Sequence, residues 1–263
     1  MRVTIFALIL SFSATAALAG DAVLKRLDTG NDSKGWEAVG RLDIGGKGFC
    51  TGALIAPNLV LTAAHCLFDK STGEAVDVTR IEFLAGWRNG RASAYRWVKR
   101  AAIHPDYDFT NQANATRVRK DVALLELVQP IRNTTIIPFE TDIRPNKGDR
   151  VGVVSYAYNR ADAPALQEVC AVLARQEGVL VMSCTVDFGS SGAPVFSFEG
   201  GQPRIVSVVS ANAAVGGAPV SLGTQLEDPL IELKEILAAQ SGLLNSDSPD
   251  SVRRKTGAKF IKP

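Results

Sequence analysis

Few residues in this chain could do covalent chemistry, and they fall at three places. The 263 residues include only two histidines. His65 sits in Leu61-Thr62-Ala63-Ala64-His65-Cys66, after an apolar run and among small residues. His104 sits in Ile103-His104-Pro105-Asp106-Tyr107 and is assigned no chemistry. Ser191 lies in Gly189-Ser190-Ser191-Gly192-Ala193-Pro194, where small neighbours let the backbone turn tightly and leave a hydroxyl exposed. The same turn lets main-chain N–H groups point at a developing oxyanion. Asp121 opens Asp121-Val122-Ala123-Leu124-Leu125, a carboxylate followed at once by an apolar run. Taken singly, Gly-x-Ser-Gly also fits a plain turn, and an aspartate before a strand also fits a cap. Taken together they suit acyl transfer: a serine hydroxyl is a poor nucleophile near neutral pH without an adjacent base, and the base needs a partner that fixes its tautomer.

Such side chains need rigid elements to hold them. Short runs rich in branched and aromatic residues, separated by Gly, Pro, Asn or Asp, predict strands at 39–44, 50–55, 59–62, 81–86, 95–103 and 122–128. Residues 133–148 read as a connector with Pro138, Pro145 and the turn Asn146-Lys147-Gly148. A second series follows at 150–156, 166–173, 179–182, 194–198, 204–210 and 220–226. Two sets of six predict an all-β fold of two antiparallel six-stranded β-barrels. Leu230, Leu233, Ile236 and Leu237 recur at helical spacing, with Asp228 as N-cap, Pro229 at the first helical position and Gly242 as a stop, so a C-terminal helix is expected over 228–240.

The ends read differently. Arg2, the apolar run 3–10 and Ala17-Leu18-Ala19 form a signal-peptide pattern over 1–19, too short to span a membrane and implying export to the periplasm or beyond. Residues 20–35 are a polar lead-in or propeptide, 36–241 the globular domain (barrels over about 36–135 and 146–227), and 242–263 a disordered basic tail. A net charge of +2 gives the folded body no electrostatic case for nucleic acid. Four cysteines in an exported chain suggest two disulfides, with three pairings open. Two distant histidines leave no plausible metal set, and no cofactor is implied. A monomer without membrane insertion is expected. Asn31-Asp32-Ser33, Asn114-Ala115-Thr116 and Asn133-Thr134-Thr135 match the glycosylation acceptor pattern, which chance also produces.

The three motifs, in the chain order His, Asp, Ser, resemble those of the chymotrypsin/trypsin-like serine peptidase family, over roughly 36–240. The resemblance implies a serine endopeptidase acting on a polypeptide substrate, with catalytic His65, Asp121 and Ser191 and an oxyanion hole from the N–H groups of Gly189 and Ser191. It also implies disulfides Cys50–Cys66 and Cys170–Cys184. Ser210 resembles the family's serine beside the catalytic aspartate, and the stretch from Ser210 to Asn212 would pair with an extended substrate. Thr185, Asp187 and Val209 fall where the family lines its first specificity pocket. Asp187 would favour Lys or Arg if it faced the pocket, and would not if it bonded its own loop. Ser190 replaces the acidic residue that binds a new N-terminus in trypsin-like zymogens, and Gly-x-Ser-Gly with a non-acidic x is similar to the bacterial glutamyl endopeptidase branch. That branch's glutamate-binding histidine is absent, since the matching residue is Val209. An inactive homologue serving as a binding module is the alternative; a chaperone-protease and an esterase are weaker ones.

Overall fold

The computed structural model describes residues 24–110, 114–143 and 145–246. The signal-peptide pattern and the tail from 247 lie outside the described residues.

The first barrel is built from β2 (Val39–Ile44), β3 (Phe49–Ala56), β4 (Leu59–Thr62), β5 (Ile81–Ala85), β6 (Ala94–Ile103) and β7 (Ala123–Leu127), closed in the order β2-β3-β4-β7-β6-β5. Every pairing is antiparallel. The interior takes one side-chain set from each strand, among them Leu42, Leu54, Leu61, Phe83 and Leu125, all at most 1% exposed.

The second barrel contains β8 (Arg150–Ala157), β9 (Arg160–Gln176), β10 (Val179–Met182), β11 (Pro194–Ser197), β12 (Arg204–Val215) and β13 (Ala218–Gln225). These run β9-β10-β13-β12-β11-β8, and β8 pairs back onto β9 to close the ring. Its core holds Val153, Val172, Leu180, Met182, Val195, Val206 and Val209. A short strand, β1 (Leu24–Arg26), pairs with β9 outside this ring, and Leu27 beyond it is fully buried. The polar lead-in is thus partly woven into the fold.

Strand β9 is much longer than expected. Pro164 does not end it: its carbonyl accepts the Leu27 N–H, and the register against β8 shifts between Ser155 and Ala157. Strands β12 and β13 likewise extend past the barrel as a two-stranded arm turning at Gly216 and Gly217, both at positive φ. Beyond Val209, the edge of β12 that faces away from β13 carries no strand among the described residues.

Helix α1 (Ala115–Lys120) was not expected. The Asn114 side chain caps it by accepting the Arg117 N–H at 2.9 Å. Helix α2 (Glu227–Ser246) runs beyond Gly242, against the expectation of a stop there, so the tail assigned to 242–263 begins later. One interior glycine costs only about 1 kcal/mol, and no proline stands among the six residues after it. Leu230, Leu233 and Leu237 of α2 pack into the first barrel's cluster. The two barrels meet through Trp36, Phe139 and Phe196, with ring centroids 4.7–5.9 Å apart.

Candidate active site

His65 lies in a single 3₁₀ turn, Ala64–Leu67, directly after β4. The Cys50–Cys66 disulfide ties this turn to β3. Asp121 follows α1, whose last turn takes the Asp121 N–H onto the Val118 carbonyl. From the second barrel, the buried Thr224 hydroxyl reaches the carbonyls of Val118 (2.6 Å) and Asp121 (3.2 Å), fixing the turn in place.

These elements bring residues 56 apart into contact. The Asp121 carboxylate is 2% exposed. One oxygen accepts the His65 main-chain N–H at 2.8 Å and the other faces His65 Nδ1 at 2.6 Å. The second oxygen also accepts the Ser210 hydroxyl. Three donors therefore surround a buried carboxylate, which keeps it satisfied and leaves the imidazole one orientation. Burial and the Asp121 charge push the nearby Tyr107 phenol up to about 12, so it stays neutral there.

Ser191 sits in a tight loop packed against the first barrel. Thr51, fully buried on β3, donates its N–H to the Ser191 carbonyl (2.9 Å) and its hydroxyl to the Gly189 carbonyl (2.9 Å). Its carbonyl accepts the Thr62 hydroxyl. A Cβ at Gly192 (φ +74°) would lie 2.1 Å from Thr62 Oγ1 and 2.8 Å from the Ala63 nitrogen, so the Ser191 loop touches the chain leading into His65. The Ser191 hydroxyl hydrogen-bonds to no described residue, leaving its link to His65 open. Such contacts often tighten only with substrate.

The loop's main-chain groups are otherwise committed. The Phe188 carbonyl accepts the Tyr158 N–H, the Ser190 N–H goes to the Asp187 carbonyl, and the Ser190 carbonyl accepts the Ala193 N–H. A trans peptide points its N–H opposite its carbonyl. Holding the carbonyls of Phe188 and Ser190 thus turns the N–H groups of Gly189 and Ser191 the other way. Neither N–H has a partner among the described residues. Two donors on either side of Ser190, held in place and unused, suit a developing oxyanion.

The remaining residues divide. Asp187 is exposed, and its carboxylate accepts the Phe188 N–H at 2.7 Å, the loop-bonding arrangement. Thr185 is exposed, with its N–H on the Gln167 side chain. Val209 is 2% exposed in the second barrel's core and serves the loop through its main chain, which bonds Gly192 and Ala193. Asn212 is exposed on the β12 arm. A cleft of about 1160 Å³ opens beside His65 and Gly189, walled by Phe49, Phe68, Tyr158 and Phe188. The second disulfide joins Cys170 and Cys184. Cys50, His65 and Cys66 cluster, but both sulfurs are disulfide-bonded and offer no thiolate to a metal. Sequence reasoning missed Thr51 and Thr224, because a threonine in a strand carries no local sign of a cross-barrel role.

A family model described as Trypsin matches residues 29–219. Glutamyl endopeptidase of Bacillus licheniformis is 24% identical over 184 residues, 68% of this chain and 56% of that protein. Serine protease 23 of Mus musculus is 29% identical over 163 residues, 56% of this chain and 42% of that protein. The chain thus spans about half the length of the curated relatives it matches. A Glu endopeptidase structure in complex with MPD superposes with a TM-score of 0.68 at 17% identity, over 84% of this chain and 98% of that one. An inactivated protease paralogue of the scabies mite superposes at 0.63 with 16% identity, over 81% and 96%.

Proposed function

The chain belongs to the trypsin family of serine proteases, and from that premise we propose that it is an exported serine endopeptidase acting through Ser191, His65 and Asp121. Ser191 attacks the peptide carbonyl while His65 takes its proton. His65 then passes the proton to the leaving amine, and water releases the acyl-enzyme by the same route. Asp121 holds Nδ1 protonated, so that Nε2 is free to accept from Ser191. The N–H groups of Gly189 and Ser191 receive the oxyanion. Substrate adds as a strand to the unpaired edge of β12 at Ser210 to Asn212, and the leaving-group side runs into the cleft beside His65. The observation that carries this reading is the pair of bonds from Asp121 to His65, through main chain and ring at once.

The unbonded Ser191 hydroxyl is what a second reading would use: an inactive homologue acting as a binding module. Reaction with a fluorophosphonate, mapped by mass spectrometry, separates the two. Labelling at Ser191 alone, abolished by His65→Ala, supports the peptidase. No labelling of correctly oxidised protein supports the binding module.

A further inference from the structure

Arg160 is a buried cation outside the residues considered so far. It opens β9 just after the tight Tyr158-Asn159 turn and is 8% exposed. It forms no ion pair among the described residues, and its Nε has no hydrogen-bond partner. Burial lowers its pKa and Asp187 opposes that shift, but a guanidinium stays charged. An unpaired buried charge is costly, so its few contacts matter.

One of them leads to the nucleophile loop. Arg160 Nη2 donates to the Ser155 hydroxyl at 2.8 Å. The Ser155 and Ser190 hydroxyls are 3.2 Å apart, and Ser190 Oγ is also 3.2 Å from the Tyr156 carbonyl. The Asp187 N–H reaches the same Ser190 oxygen at 3.4 Å. With Ser155 accepting from Arg160, its own hydrogen is available to Ser190, whose hydrogen then goes to Tyr156. Ser190 is fully buried, immediately precedes Ser191, and has its N–H and carbonyl bonded within the loop as well. The two unbonded N–H groups flank it.

We propose that Arg160 is a positioning residue for the nucleophile loop, acting through Ser155 and Ser190 to hold the N–H groups of Gly189 and Ser191 in line. The chain of hydroxyls begins on a full positive charge, which polarises each link toward the loop. The cation comes from a hairpin inside the second barrel, so the arrangement needs no amine released by cleavage to seat the loop. The inference rests on the acyl-transfer reading given under Proposed function.

The test uses the full purified protein and the rate of fluorophosphonate reaction at Ser191, with kcat and KM on a cleaved peptide. Arg160→Met should slow labelling and lower kcat by about 10-fold or more, the scale of a small misplacement of catalytic groups, with KM nearly unchanged. Arg160→Lys, which restores one charged donor, should recover part of the loss. Ser155→Ala, which cuts the chain but keeps the charge, should reproduce the loss even if Arg160→Met fails to fold. A folded Ser155→Ala protein labelling at the wild-type rate overturns the proposal. So does an Arg160→Met protein that melts lower but reacts normally. A wild-type protein that never labels defeats the peptidase reading instead.

Discussion

Replacing Asp121 by asparagine tests the site most sharply, because the side chain keeps its shape and changes only which atoms donate. In the native site one carboxylate oxygen accepts the His65 main-chain N–H at 2.8 Å and the other takes the His65 ring and the Ser210 hydroxyl. An amide can satisfy one side with oxygen and must present NH₂ to the other. The main-chain N–H of His65 cannot reverse its role, whereas the Ser210 hydroxyl can rotate and accept. The oxygen therefore stays on the main-chain side, and the NH₂ faces Nδ1. Nδ1 then has to accept, its proton moves to Nε2, and Nε2 loses the lone pair that Ser191 requires. The expected loss in turnover is about 10⁴-fold, or about 5.5 kcal/mol of transition-state stabilisation. Every polar group still finds a partner, so the fold should lose only about 1–2 kcal/mol from weaker, uncharged hydrogen bonds. The rate of fluorophosphonate labelling and a thermal melt, measured on the same preparation, separate the two effects. Labelling within about tenfold of wild type would refute the tautomer argument.

Three further outcomes follow from the geometry. Gly192→Ala would set a Cβ 2.1 Å from Thr62 Oγ1 and 2.5 Å from the Thr51 carbonyl at φ +74°; with backbone on one side it should cost about 3 kcal/mol or more, read as a lower denaturant midpoint. The double substitution Cys50→Ala/Cys66→Ala opens a loop of separation 16, which should remove about 3 kcal/mol and lower Tm by about 6–12 °C. Burial, aided by Lys120, holds the pKa of His104 below its ordinary value. The unfolded chain then takes up a proton more readily than the folded one, so stability should fall as pH drops below about 6.5. His104→Gln should flatten that part of a Tm-against-pH curve, and an unchanged slope would assign the acid sensitivity to other groups.

Much of the frame was written in local pattern. The bounds 39–44, 59–62 and 179–182 agree with β2, β4 and β10, because 59–62 and 179–182 are apolar runs that follow the turns Pro57-Asn58 and Glu177-Gly178, and 39–44 leads into the turn Gly45-Gly46. The overlooked elements lack such a pattern. The three exposed residues of β1 have no periodicity and are strand only because β9 offers an edge. Helix α1 has one buried residue and depends on the Asn114 cap. At the site, the motifs around His65, Asp121 and Ser191 were readable, but not which way Asp187 turns: its loop bond is settled by the neighbouring Phe188 N–H. The link from Arg160 to Ser190 was out of reach, since it joins side chains on different segments through a third.

The two ends of the chain cross over. Near its start, β1 lies on the second barrel; at its close, α2 packs on the first. Each barrel is thus bordered by a segment that lies beyond the other barrel in sequence, β1 on the second and α2 on the first, and neither is covered by its own stretch of chain alone.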